Sequence, residues 1–297
     1  MTRAGSRTVI VSGASRGLGL ETALGLGACG FDVWAGYRDE AHAARILEAA
    51  AGRGASVRPI RLDVTTPDST TAAVEQVVAQ SGGLYGVVNN AAITLRGYFE
   101  DLSDAEIRRT LDVNLFGTMN LTRAALPHLR AAGRGRVVMM SSVGGRIGSM
   151  SLTAYIASKF AIEGFSESLS LELEPLGIQV VIIEPGIVDS GIWHEGRRVA
   201  ERALDASGPY YEWFTRAERQ ADALVQTSRL RPADVAAVIR TALTARRPRL
   251  RYTVGRRAAF VMSLRRHMPG ELFERFYFGE VMRRITGRRR RREVQLT

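Results

Sequence analysis

The chain has 297 residues, of which 45% are hydrophobic and 24% are charged, a composition typical of a globular protein with one large core. Because Cys29 is the only cysteine and no run of about 18 apolar residues occurs, the composition excludes an internal disulfide and a membrane-spanning helix. The net charge of +11 is uneven, since residues 240–297 hold 17 arginines against four acidic residues, a balance of +13 that leaves −2 for residues 1–239. The first seven residues lack the apolar stretch of a signal peptide, so we expect a cytoplasmic protein.

Short runs rich in valine and isoleucine alternate with longer helical patterns along the chain. The runs predict strands at residues 8–12, 32–37, 57–61, 86–89, 135–141, 179–184 and 251–254. The patterns between them predict helices at residues 18–29, 39–51, 67–80, 103–131, 151–173 and 231–245. The strands are nearly continuous apolar runs, as in parallel strands that are covered on both faces. This alternation predicts an α/β fold with a doubly wound parallel sheet, a Rossmann fold.

No linker or internal repeat divides the chain into separate folding units. We therefore predict one Rossmann-fold domain over residues 1–255, which includes a substrate-covering segment at residues 187–231. A helical C-terminal extension follows at residues 256–297.

A glycine-rich turn follows the first predicted strand. Its glycines are spaced Gly-x-x-x-Gly-x-Gly, and a helical pattern begins within the turn. Glycines in this setting permit a tight turn and the close approach of the backbone to a pyrophosphate, which then lies at the helix N-terminus. The turn predicts a dinucleotide site made by Gly13, Ser15, Arg16, Gly17, Leu18 and Gly19.

The end of the second predicted strand indicates which coenzyme is bound. In this fold an acidic residue there accepts a hydrogen bond from the ribose 2′-hydroxyl of NAD. Here the strand ends next to Arg38, and no carboxylate occurs before Asp39. Arg38 and Arg16 can hold a 2′-phosphate with charge-assisted hydrogen bonds, which favours NADP; the alternative is that both are solvated charges. Asp63 and Val64, which follow the third strand, are placed to meet the adenine.

Lys159 is the only lysine among 41 basic side chains, and it follows Tyr155 by four residues. Positions i and i+4 share one face of a helix, so the two side chains point into one site. A nearby ammonium stabilises phenolate and lowers the pKa of a tyrosine from about 10 toward neutrality. This pair therefore predicts a tyrosine that serves as a general acid or base near pH 7.

With the Asn-Asn-Ala-Ala segment at residues 89–92, these motifs resemble the short-chain dehydrogenase/reductase family in order and spacing, from about residue 8 to residue 190. The resemblance implies that Tyr155 exchanges a proton with the substrate oxygen. Lys159 would bind the nicotinamide ribose and hold down the pKa of Tyr155. Ser142 would orient the substrate oxygen, and Asn114 would hold a water that connects Lys159 to solvent.

The resemblance also implies further contacts to the cofactor. These come from Asn90, Ala91, Tyr155, Lys159, Pro185, Gly186, Val188 and Ser190. Two residues depart from the family pattern, since Ala92 stands where a glycine is usual and Ser190 where a threonine is usual. The first adds one methyl group and the second keeps a hydroxyl, so neither departure changes the expected chemistry.

The implied activity is the NADP(H)-dependent interconversion of a hydrophobic ketone or aldehyde and its alcohol. The aromatic residues of segment 187–231 predict an apolar pocket, with Ser142, Met150, Trp193 and Tyr211 as its walls; the alternative is that they are core. The pattern is most similar to 17β-hydroxysteroid and retinol dehydrogenases and to polyketide ketoreductases. Two other hypotheses remain, a redox-sensing regulator that binds NADP without turnover and a dehydratase or epimerase on the same scaffold. No metal site is expected.

The C-terminal extension mixes aromatic residues with arginines over residues 258–285. We expect this segment to pack on the pocket mouth or on a second subunit; the alternative is peripheral contact with an anionic membrane surface. The arginine run at 288–292 predicts a solvated, disordered tail, and nucleic acid is not an expected partner. The family resemblance implies a homodimer or homotetramer that pairs helices 103–131 and 151–173.

Overall fold

A computed structural model describes residues 7–190, 193 and 196–287. The strands of the described residues are β1 (Thr8–Val11), β2 (Asp32–Tyr37), β3 (Val57–Arg61), β4 (Gly86–Asn89), β5 (Thr94–Arg96), β6 (Gly135–Met140), β7 (Ile178–Pro185), β8 (Arg197–Val199) and β9 (Arg251–Val254). Seven of them form one sheet in the order β3-β2-β1-β4-β6-β7-β9, and every neighbouring pair is parallel. The remaining two, β5 and β8, form a small parallel pair beside it.

Helices cover both faces of the large sheet. They are α1 (Gly17–Gly27), α2 (Ala41–Gly52), α3 (Pro67–Ser81), α4 (Asp104–Leu111), α5 (Gly117–Ala131), α6 (Thr153–Leu173), α7 (Tyr211–Gln226), α8 (Pro232–Thr244), α9 (Arg256–His267), α10 (Gly270–Phe273) and α11 (Gly279–Thr286). One core contains buried side chains of α1, α2 and α8, and the other contains those of α3, α5 and α6. The predicted doubly wound α/β fold is confirmed.

The sheet order places a ligand site at the carboxyl ends of β1 and β4. Strand β1 pairs with β2 on one side and with β4 on the other, so the direction of winding reverses between β1 and β4. In open α/β sheets, ligands bind in the crevice outside the carboxyl ends at such a reversal. The turns that follow β1, β4 and β6 therefore face one crevice.

The helix predicted at residues 103–131 is helical from Asp104 to Ala131, but it contains a π-helical turn at Asp112–Phe116 between α4 and α5. The buried side chain of Asn114 lies in this turn and is hydrogen-bonded to both backbone groups of Ile93, at 2.8 Å and 3.0 Å. A π-helical turn adds one residue to a helical turn and is frequent at functional sites. The apolar pattern continues across that one added residue, which is why it did not mark the interruption.

The chain after β9 folds into the three helices α9, α10 and α11. Ala258, Phe273 and Ile285 are buried, whereas Phe260 and Phe276 are 67% and 64% exposed. The extension thus packs against the rest of the protein and keeps aromatic side chains at its surface. The predicted tail at 288–292 lies outside the described residues. So does His194, which belongs to the predicted substrate-covering segment at residues 187–231. Among the described residues, no helix combines the length and apolar character needed to cross a membrane.

Candidate active site

The glycine-rich turn after β1 is held in a conformation that favours glycine. Gly13 and Gly17 have φ of +62° and +55°, values that side-chain-bearing residues rarely adopt. A Cβ on Gly13 would lie 2.8 Å from the Cα of Ala91, so the turn lies directly against the segment after β4. Asn90 fixes this contact, because its Nδ2 donates to the carbonyl oxygens of Ser12 at 2.9 Å and Gly13 at 3.1 Å.

A cavity of about 1410 Å³ opens along the carboxyl edge of the sheet. The predicted cofactor-binding residues all line it: Gly13, Ser15, Arg16, Gly17, Leu18, Gly19, Arg38, Asp63, Val64, Asn90, Ala91, Tyr155, Lys159, Pro185, Gly186, Val188 and Ser190. The close glycine turn and the hydrogen-bonding groups along this wall fit an extended dinucleotide. The volume exceeds the roughly 300–1,000 Å³ of a site for one drug-sized ligand, so a second molecule also has room.

Four arginines lie together on one side of the cavity. Arg16, Arg38, Arg109 and Arg198 all line it. Burial lowers the pKa of Arg198, and the neighbouring charges of Arg109, Arg38 and Arg16 lower this pKa further. Asp39 is not among the described residues that line the cavity, and its Oδ1 accepts a hydrogen bond from the Ala41 N–H at 3.1 Å. Sequence reasoning missed Arg109 and Arg198, because nothing in an arginine-rich chain distinguishes them before the fold brings them here.

Tyr155, Lys159 and Ser142 lie together in the lining of this cavity. The Lys159 Nζ lies 5.7 Å from the centre of the Tyr155 ring, as expected for neighbours one helical turn apart on α6. Ser142, two residues beyond β6, is hydrogen-bonded to the side chain of Tyr155. The Ser142 Oγ also accepts a hydrogen bond from the Gly144 N–H at 3.0 Å, which leaves the serine O–H available as a donor.

The pKa of Tyr155 differs from the expectation that Lys159 lowers it. Burial raises the pKa of this hydroxyl above its usual value, and the hydrogen bond from Ser142 opposes that rise only in part. The hydrogen bond that the Lys159 ammonium donates, at 2.7 Å, goes to the carbonyl oxygen of Met140 and not to the phenol oxygen. Tyr155 is therefore protonated at neutral pH.

Lys159 is 4% exposed, and burial lowers its pKa to about 8. Glu163, the next residue on the same face of α6, opposes this effect with its negative charge. Burial raises the pKa of Glu163 itself, while its ion pair with Arg251 at 2.9 Å favours the charged carboxylate. Arg251 also lies 3.4 Å from Glu184, so a buried network of charges continues behind the lysine.

The depressed pKa of Lys159 predicts a pH-dependent stability difference between the wild type and Lys159→Met. An unfolded lysine titrates near 10.5, so between about pH 8 and pH 10.5 the unfolded chain holds a proton that the folded protein has released. Below pH 8 the buried Lys159 is charged, and the cost of burying this charge lowers the unfolding free energy by its full amount. This cost decreases as the pH rises above 8. We expect the wild type to gain about 1 kcal/mol of unfolding free energy relative to the variant between pH 7 and pH 9. Urea unfolding at both pH values measures this; a difference independent of pH would contradict it.

Asn114 lies behind the cavity wall and is 1% exposed. Besides its bonds to Ile93, its Nδ2 donates to the Ser158 Oγ at 3.0 Å. The Ser158 hydroxyl in turn donates to the carbonyl oxygen of Tyr155 at 2.6 Å. Asn114 thus ties the segment after β4 to the helix that carries Tyr155 and Lys159. Its role as the holder of a water beside Lys159 stays a prediction.

The predicted substrate pocket needs one correction. Ser142, Met150 and Trp193 line the cavity, but Tyr211 is not among the described residues that do so. Tyr211 is the first residue of α7, whereas the cavity-facing side of that helix begins further along, at Ala217.

The neighbouring aromatic residues of the substrate-covering segment pack on one another instead of lining the cavity. The Tyr210 ring stacks on Tyr98 with centroids 4.8 Å apart, and Trp213 packs against both rings. These rings are half-buried, so they form a packed aromatic cluster and not walls of the cavity. The cavity side of α7 consists of Ala217, Gln220, Ala221 and Leu224, whose spacing of three and four residues is a helical-face signal that the sequence offered.

Comparison with known proteins identifies the family. The short chain dehydrogenase family matches residues 7–200. The chain is 30% identical to the uncharacterised oxidoreductase YbbO of Escherichia coli K12, over 92% of this chain and 94% of that protein. It is 33% identical to the 17-beta-hydroxysteroid dehydrogenase type 1 of Homo sapiens, over 89% of this chain and 82% of that protein.

A solved structure gives the same result. A short-chain dehydrogenase from Streptomyces avermitilis superposes with a TM-score of 0.77 at 32% identity, covering 93% of this chain and 98% of that one. The chain belongs to the short-chain dehydrogenase family of oxidoreductases. Members of this family use a nicotinamide cofactor and act on a small-molecule substrate.

Proposed function

We propose that this protein is an NADP(H)-dependent oxidoreductase that interconverts a hydrophobic ketone or aldehyde and its alcohol. One observation carries the proposal: Tyr155, Lys159 and Ser142 line the same cavity as the glycine turn. The reacting carbonyl would lie between the Tyr155 hydroxyl and the cofactor. The cofactor supplies or accepts the hydride when it is bound.

The protein's own residues account for the proton and for the charge on oxygen. Tyr155 is protonated at neutral pH, so it can donate its proton to the carbonyl oxygen of a substrate. The O–H of Ser142, which donates to Tyr155 in this structure, can turn to the same substrate oxygen and stabilise the negative charge that develops there. Lys159 uses one N–H on Met140, which leaves two N–H groups for the ribose hydroxyls of the cofactor. In the reverse direction Tyr155 must first lose its proton, so alcohol oxidation should become faster as pH rises.

The proposed function is tested by incubating the purified protein with NADPH and a panel of steroid, retinoid and polyketide ketones and aldehydes. We expect the loss of NADPH absorbance to match the amount of alcohol formed for at least one compound. Tight NADPH binding without turnover on any member of the panel would contradict an oxidoreductase and would favour a redox-sensing regulator.

The choice of NADP rests on the four arginines beside the cavity. A 2′-phosphate carries about two negative charges and accepts charge-assisted hydrogen bonds, which suits a cluster of guanidinium groups. Arg16 and Arg38 are the residues that the sequence assigned to it, and Arg109 and Arg198 add positive charge nearby. The carboxylate of Asp39, the acidic group nearest to the end of β2 in the sequence, does not line the cavity among the described residues.

Arg38→Asp should abolish the preference for NADPH. We expect the wild type to favour NADPH over NADH by at least about tenfold in kcat/KM, because one charge-assisted hydrogen bond contributes about 1.5–3 kcal/mol. The variant removes such a bond and places a carboxylate that repels the phosphate and can accept from a ribose hydroxyl. Arg45→Asp, the same charge change at an exposed position of α2, is the matched control. Steady-state kinetics with both coenzymes decide it, and an unchanged ratio in Arg38→Asp would show that the phosphate lies elsewhere.

We propose that α5 and α6 form the contact of a homodimer or homotetramer. Phe116, Phe160 and Leu171, which lie on α6 or just before α5, are 51%, 43% and 73% exposed. Light scattering at micromolar concentration should give a dimer or tetramer. The double variant Phe160→Glu, Leu171→Glu should move the mass toward the monomer. Leu47→Glu, at an exposed leucine of α2, should not; a monomeric wild type would contradict the proposal.

A further inference from the structure

The cavity continues past the predicted cofactor residues into a compartment between α7 and the C-terminal extension. Three helices each present an apolar side to it. The lining side chains are Ala221 and Leu224 of α7, Val261 and Leu264 of α9, and Val281 and Ile285 of α11. We call this compartment the vestibule. Its walls are aliphatic, and small residues of α7 leave space, so it suits a flexible hydrocarbon chain as well as a rigid ring system.

Two aromatic side chains mark the opening of the vestibule. Phe260 and Phe276 line the cavity and yet are 67% and 64% exposed, which places them where the cavity meets solvent. Exposed large apolar groups that adjoin a cavity indicate a surface that a ligand covers. An elongated ligand that reaches from the vestibule to the opening would shield both rings from water.

Arginines surround this apolar opening. Arg229, Arg256, Arg257 and Arg284 line the cavity and are exposed. Arg284 is bonded at 2.7 Å to Glu280, which also accepts from Arg283 at 2.6 Å, so this carboxylate is already neutralised. The other acidic side chain on this part of the lining, Asp234, pairs with Arg231.

Arg256 and Arg257 form no ion pair within residues 7–190, 193 and 196–287. Arg257 lies close enough to Tyr277 for its charge to lower the pKa of that hydroxyl, against the larger, raising effect of burial. Tyr277 is itself a lining residue. The positive charge of Arg257 thus influences a side chain that lines the vestibule, although Arg257 itself is exposed to solvent.

We propose that the substrate is an anionic amphiphile: a long apolar carbonyl or alcohol compound that carries a carboxylate or a similar anionic group. Its apolar part occupies the vestibule, and its anionic group is held by Arg256 and Arg257. This inference rests on the proposed function, because the carbonyl must reach Tyr155. It explains the arginines, which a neutral steroid or retinoid would not use and which would repel a cationic amphiphile.

The test compares matched substrates with NADPH: a long-chain oxo-carboxylate, 10-oxooctadecanoate, its methyl ester, the corresponding long-chain oxo-amine, and cyclohexanone. We expect the carboxylate to have a KM at least about tenfold below that of the ester, since a charge-assisted contact is worth at least that factor. The amine should be the poorest of the three long-chain substrates. Reduction of cyclohexanone tests the proposed function separately, because this small ring carries no charge to reach the arginines.

The double variant Arg256→Ala, Arg257→Ala should remove the advantage of the carboxylate by raising its KM about tenfold or more, with a much smaller change for the ester. Arg266→Ala, an exposed arginine of α9 that does not line the cavity, is the matched control and should keep the wild-type KM ratio. Circular dichroism confirms that the variants are folded.

Three outcomes would overturn the inference. Equal KM values for the carboxylate and the ester in the wild type would show that the arginines do not bind substrate. A preference for the amine would reverse the predicted charge. If the double variant lost binding to phosphatidylglycerol vesicles but kept the KM ratio, these arginines would serve a membrane surface. If cyclohexanone were reduced alongside any of these outcomes, the proposed oxidoreductase function would stand. If no substrate of the set were turned over, that function would be contradicted instead.

Discussion

Tyr155→Phe should lower kcat by at least about a hundredfold and leave the affinity for NADPH nearly unchanged. Only one hydroxyl is removed, and proton transfer by a positioned side chain typically contributes about 10²–10⁴-fold to rate. The phenyl ring of the variant keeps the packing of the tyrosine ring. Gly144 lies close against it, because a Cβ added to this glycine would be 3.6 Å from Cε1 of the ring. The cofactor contacts of the glycine turn and the arginines are untouched. Turnover assays and fluorescence titration with NADPH measure the two quantities.

Tyr85→Phe is the matched control for this substitution. It also removes a single tyrosine hydroxyl, one that donates to the carbonyl oxygen of Leu243 at 2.7 Å, away from the cavity. Its effect should fall on stability, with kcat close to that of the wild type. The Tyr155→Phe variant should keep about a hundredth of wild-type kcat or less. If Tyr155→Phe retained more than about a tenth of wild-type kcat, the assignment of Tyr155 as the proton donor would fail.

Local sequence signals were enough to predict the sheet and to bring the proposed cofactor residues to one cavity. Most strands of the sheet are nearly continuous apolar runs, and the glycine turn follows the first of them directly. Because parallel strands end at one edge of a sheet, residues that follow different strands, such as Gly13, Asn90 and Ser142, meet without any further information. The order of the motifs therefore predicted their proximity.

Features that depend on packing between distant segments could not be predicted. The π-helical turn at Asn114 is held by Ile93. The spacing of Ala217, Gln220, Ala221 and Leu224 marks one side of α7, but the sequence does not say that this side faces the cavity. The charge of Arg198 joins those of Arg16 and Arg38 only in the folded protein, because β8, which carries Arg198, lies far along the sequence from both. The pKa of Tyr155 likewise reflects burial and the direction of the Lys159 ammonium, and the i to i+4 spacing specifies neither.

Removing the extension after Gly255 should have the second large effect. The truncation deletes α9, α10 and α11, including the buried side chains of Phe273 and Ile285, and uncovers the cavity side of α7. Burial of each such side chain stabilises the fold by about 1.5–3 kcal/mol, so we expect a lower unfolding temperature and a tendency to aggregate. The KM for a hydrophobic ketone should rise at least about tenfold, because loss of contacts worth a single buried side chain suffices for that factor.

Truncation after Gly287 is the companion experiment, since it removes five arginines and Glu293 but few apolar groups. It should leave both the unfolding temperature and turnover close to wild type, which separates the arginine run from the helices that precede it. Thermal unfolding, light scattering and steady-state kinetics on the two truncated proteins distinguish the effects. If the protein ending at Gly255 were soluble with unchanged kinetics yet no longer bound anionic vesicles, the extension would not be a wall of the substrate site. It would then be a membrane-surface element, and the exposed Phe260 and Phe276 would be its insertion points.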